Sequence, residues 1–79
     1  MTTAQIVAEW LIDKIRAEGT LDQEEAVYLI EQQFGSEWVF DDINGNPAIQ
    51  QSVLKMFRQV HGGAIQWDNS ARCWTASSG

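Results

Sequence analysis

Residues 44–54 read Asn44-Gly45-Asn46-Pro47-Ala48-Ile49-Gln50-Gln51-Ser52-Val53-Leu54, and the fold turns on where a helix begins within them. Asn44-Gly45 is a strong tight-turn dipeptide. Asn46 suits a helix cap, and Pro47 suits the first helical position, where its missing N–H costs nothing. The expectation is a third helix that opens at Asn46-Pro47 and stops at Gly62-Gly63. Ile49, Val53, Phe57 and Val60 then recur at i, i+4, i+8 and i+11, a core-facing stripe. The opposite face displays Gln51, Ser52, Lys55, Arg58 and Gln59 to water.

Upstream of this stretch, Trp38-Val39-Phe40 is rich in β-formers and predicts a short strand over 37–41. Before it, Asp22 and Glu25 form a capping box, Leu21 is placed to staple onto Ala26, and Gly35 ends the segment, so 23–34 reads as helix two. The first helix reads 3–18, between a capping box at Thr2 and Gln5 and a C-cap at Gly19, with Val7, Leu11 and Ile15 on its inner stripe. Thr20-Leu21 leaves room for a rudimentary extra strand. Downstream, Ala64–Trp67 and Arg72–Thr75 flank a turn at 68–71 and predict a β-hairpin. With Asn69-Ser70 at its centre, Trp67 pairs with Arg72, as a cation–π contact, and Ile65 pairs with Trp74. Residues 76–79 have no apolar anchor and are expected to fray.

The resulting fold class is α+β: three helices with a short strand and a C-terminal β-hairpin, in a winged-helix-like order. In winged-helix domains the hairpin is the wing and helix three enters the major groove. The clearest strand here, however, falls between helices two and three rather than between one and two.

Residues 44–49, then Val53-Leu54, Phe57-Arg58, Trp67-Asp68 and Arg72-x-Trp74, together resemble a family of small uncharacterised bacterial proteins, some carried in mobile integron cassettes. The resemblance spans nearly the whole chain. It implies a single-domain architecture, and because that family has no established activity it transfers no site residue. Pro47 stands where the family pattern has an ordinary residue.

Length and composition narrow the functional classes. At 79 residues the chain has room for one domain, 1–79, and so small a core needs dense aromatic packing or a partner. Trp10, Trp38, Trp67 and Trp74 supply the aromatic material. Cys73 is alone, which excludes an intrachain disulfide and fits a reducing cytoplasm. No apolar run approaches the roughly 20 residues of a membrane span, and the N-terminal residues have no basic region of a leader. The net charge is −6, unevenly spread. Residues 1–42 carry ten acids against Lys14 and Arg16, a formal −8, whereas 43–79 carry Asp68 against Lys55, Arg58 and Arg72, a formal +2.

Catalytic chemistry has little to stand on, and the expectation is a non-enzyme without cofactor or metal. His61 and Cys73 are each unique and form a conceivable nucleophilic pair, but a histidine at a helix C-terminus and a small strand residue explain them more simply. Four zinc ligands at finger-like spacing are absent. Aligning Gly45 with the sixth position of a calcium loop puts Phe40 first and Gln51 twelfth, so both anchoring ligands fail. The leading expectation is a non-catalytic interaction module, self-associating as a homodimer through aromatic surface such as Trp10 and Trp67, with an acidic face for a protein partner. The alternative is a winged-helix DNA regulator that contacts duplex through Gln51, Lys55, Arg58 and Arg72. Three cations are few, since tight duplex binders commonly neutralise about six to ten phosphates.

Overall fold

Thr3 opens the first helix by accepting a hydrogen bond at its Oγ1 from the Ile6 N–H, 3.3 Å away. In the computed structural model, which describes residues 1–76, α1 therefore spans Ala4–Glu18 and is capped one residue later than the Thr2–Gln5 box suggests. Gln5 is engaged elsewhere, donating to Glu9 at 3.0 Å. Gly19, at φ 82°, ends the helix and bonds Ile15 O at 2.7 Å.

Strand β1, Thr20–Asp22, follows at once, so the rudimentary strand exists. It also overturns the second capping box. Asp22 precedes α2, Gln23–Phe34, but makes no side-chain cap bond, because it is still a strand residue paired with Cys73. Leu21 is buried across from Trp74.

A 3₁₀ turn at Ser36–Trp38 leads into β2, Val39–Asp41, which starts two residues later than 37. The larger correction concerns Pro47. It does not open a helix: Pro47–Ile49 is strand β3, antiparallel to β2 with Val39 across from Ile49 and Asp41 across from Pro47. A proline is tolerated there because β3 has β2 as its one partner, so the absent N–H breaks no ladder bond on the open side. The Gln23 side chain secures the extended segment by donating to Pro47 O at 2.8 Å. Helix α3 begins only at Gln51 and runs to His61, with Gln50 as its uncapped N-terminal neighbour. Ile49 is buried as a strand residue, Val53 and Phe57 as helix residues, while Val60 is 44% exposed at the last turn, where the chain leaves the core.

Strands β4, Ile65–Asp68, and β5, Cys73–Ala76, form the terminal hairpin, in a register shifted from the expected one. Trp67 faces Trp74 and Ile65 faces Ala76, because Asn69 to Arg72 all belong to the loop. Asp68 Oδ1 accepts from Ser70 N and Ala71 N and winds the loop tightly, leaving Arg72 left-handed at φ 54°. Arg72 thus never reaches Trp67, whose ring lies 5.0 Å from that of Trp74. Ala76 is a paired strand residue that bonds Gly19 O at 3.0 Å, rather than a frayed end. Of the tail expected to fray, 77–79 lie outside the described residues.

The chain is an α+β domain with three α-helices among the described residues. Its three-stranded antiparallel sheet has the order β1-β5-β4, and a separate two-stranded ribbon pairs β2 with β3. Val7, Leu11 and Ile15 of α1 meet Ile30 of α2, Val53 and Phe57 of α3, and Leu21 and Trp74 of the sheet in one core. No helix among the described residues is long and apolar enough to cross a membrane.

Candidate functional site

Two hairpins rise on either side of α3 and leave a groove of about 590 Å³ between them. The sequence dictates its floor. Gln51, Leu54, Arg58 and His61 recur at i, i+3, i+7 and i+10, a helical stripe flanking the buried Val53–Phe57 side. Its walls come from the pleat: Trp67 shares the inner face of the sheet with Trp74 and Ile65, and Phe40 projects from the β2–β3 ribbon. Both wall rings remain open to solvent, Trp67 at 42% and Phe40 at 38%.

His61 sits at the inner end of this stripe, edge-on to Phe57 with ring centroids 4.6 Å apart. Its Nδ1 accepts from the Gly63 N–H at 2.9 Å, which assigns the proton of the neutral ring to Nε2. Burial holds its pKa below the ordinary 6.5; a backbone hydrogen bond of His61 opposes this, and the Arg58 charge adds to the lowering. Asp42, at the rim, has Oδ1 committed to the Asn44 and Asn46 N–H groups at 2.9 Å each. The acidic turn is therefore closed on its own backbone.

A second cleft, about 300 Å³, lies between α2 and the β2–β3 ribbon. Glu24, Glu31 and Asp41 line it together with Tyr28, which is 61% exposed, and Phe40, and no lysine or arginine does.

The expected contact residues divide among these places. Gln51 and Arg58 line the groove, and Lys55 is exposed on α3 outside its lining. Arg72 lines a different, smaller cleft with Asp22, Gln23, Glu24 and Asn46. Trp67 is exposed in the groove, whereas Trp10 is half-buried and edge-on to Phe34 at 5.7 Å. Cys73 and His61 stay apart: Trp74 packs its ring on Phe57, so its neighbour Cys73 points to the opposite face of the sheet, between Asp22 and Asp68. Among the described residues, no three His, Cys, Asp or Glu side chains gather where they would hold a metal ion. Sequence reasoning missed Leu54, Phe40 and Tyr28. Leu54 was detectable from its i−4 spacing to Arg58; the two exposed rings carried no local signal.

These features define a small α+β domain with open aromatic clefts. Residues 3–76 match the model of a family of unknown function, DUF6953, and the chain belongs to that family. No curated protein and no solved structure gives a significant match.

Proposed function

We propose that the chain is a non-catalytic interaction module that docks a basic protein partner in the acidic cleft beside α2. The observation that carries this reading is the pairing of three carboxylates, Glu24, Glu31 and Asp41, with the exposed rings of Tyr28 and Phe40 in a cleft lined by no cation. Carboxylates steer a basic chain in, and the exposed rings give it a place to anchor. Titration with a lysine-rich peptide containing one tryptophan tests it. Binding that weakens with salt and is lost in Glu31→Lys supports the reading; equal binding of a glutamate-rich counterpart, or none, removes it.

Self-association as a homodimer belongs to the same proposal, and the exposure of Phe40, Ile43 and Trp67 supports it. Sedimentation at micromolar concentration checks it, a strict monomer being the opposing result. A cytoplasmic setting fits the lone Cys73, and a bacterial, cassette-borne origin is what the family resemblance implies.

One observation favours a second reading, the winged-helix DNA regulator. With β1 after α1 and paired to the last strand of the terminal hairpin, helices and strands follow the winged-helix order, apart from the inserted β2–β3 ribbon. Gln51, Lys55 and Arg58 are exposed on α3. The separation of Arg72 into another cleft weakens it. Random duplex at low salt discriminates: steeply salt-dependent binding that falls in Arg58→Ala supports the regulator, and no binding discards it.

A further inference from the structure

We infer that the groove over α3 is a binding site for a small planar aromatic carboxylate. The groove volume, about 590 Å³, lies within the roughly 300–1,000 Å³ of small-molecule sites. Phe40 and Trp67 present accessible rings on its two walls, with Leu54 between them on the floor. Offset or edge-on contact with an indole and a phenyl ring suits a flat aromatic body.

The polar groups select the other end of the ligand. Arg58 is the sole lysine or arginine in the lining, and among the described residues it has no carboxylate within ion-pair distance; the one ion pair there joins Lys14 to Glu18 at 3.9 Å. Asp42, the sole carboxylate in the lining, is turned into its own loop, where two backbone N–H groups hold Oδ1. His61, three residues after Arg58 and so one helical turn along the same stripe, lines the groove and also a smaller cleft with Glu9, Asp13 and Arg16, and with Nδ1 taken by Gly63 its Nε2–H is the ring's donor. A guanidinium and a neutral imidazole N–H on one helix edge match the two oxygens of a carboxylate. A cation would meet Arg58 head-on, and a neutral ring would leave it unpaired.

The groove shares Phe40 with the acidic cleft but none of its carboxylates, and the experiment separates the two. 2-Naphthoate and 2-naphthylmethylammonium, alike in shape and opposite in charge, are titrated while amide and His61 ring resonances are followed. Saturable shifts for naphthoate at Leu54, Arg58, His61 and Trp67 are expected, with the amine at least about tenfold weaker. Arg58→Gln weakens naphthoate by about tenfold or more, whereas Glu31→Lys leaves it unchanged. Both substituted positions are exposed, so the fold survives. Similar binding of the two probes, an unaltered Arg58→Gln, or no saturation at millimolar naphthoate overturns the assignment.

Discussion

Leu21 stands directly across from Trp74, so the short strand after the first helix is stitched to the central strand at the far end of the chain. Leu21 is 3% exposed and Trp74 6%. Truncating Leu21 therefore opens a cavity where α1, the sheet and α3 meet. Leu21→Ala is expected to cost about 2–5 kcal/mol, a large share of the stability of a domain this size, read from urea unfolding. A loss below about 1 kcal/mol contradicts this packing.

Arg72 holds a left-handed backbone with φ 54°, a region that costs a residue with a Cβ about 1–2 kcal/mol. Arg72→Gly relieves that strain and is expected to leave stability unchanged or raise it, despite the greater freedom of the unfolded glycine chain. Arg72→Val, β-branched at the same angle, is expected to destabilise. The reverse order of the two melting temperatures contradicts the turn geometry.

His61 resists protonation in the folded state, mainly through burial. Above pH 6.5 both folded and unfolded rings are neutral; as pH falls through 6.5 the unfolded chain takes the proton first, so this group lowers stability on the acid side. An NMR titration should place its midpoint below 6.5, and Arg58→Gln should move it upward by removing a neighbouring positive charge. A midpoint at or above 6.5 contradicts the placement.

Asp42 closes the β2–β3 turn with two side-chain bonds to backbone N–H groups. Asp42→Ala should cost about 0.5–2 kcal/mol, as loss of a capping side chain does, and Asp42→Asn should retain most of that stability. Equal losses for both variants would contradict the capping role.

Helices one and two were legible to within a residue or two because Gly19 and Gly35 punctuate them and their apolar spacing is regular. The third began four residues late. Asn46-Pro47 satisfies the grammar of a helix start and that of an edge strand equally, and tertiary pairing decides: β2 takes 47–49 into a ribbon, and the Gln23 amide, far away in sequence, holds Pro47 O. The hairpin register slipped for a related reason: Asp68 captures two turn N–H groups and draws Arg72 into the loop, a side-chain effect invisible to a count of residues. Lys55 and Arg58 do face outward, as helical periodicity requires. That Arg72 lines a cleft other than the one Arg58 lines follows from that register and was unreadable without it.

Strand β5 lies at the centre of the sheet order β1-β5-β4 although it is the last strand among the described residues. A nascent chain that has reached only as far as residue 72 has β1 and β4 but nothing between them to pair with, so Leu21 and Trp67 lack their strand partner Trp74. Synthesis must pass residue 76 before the sheet closes, so this closure joins segments that are far apart in sequence.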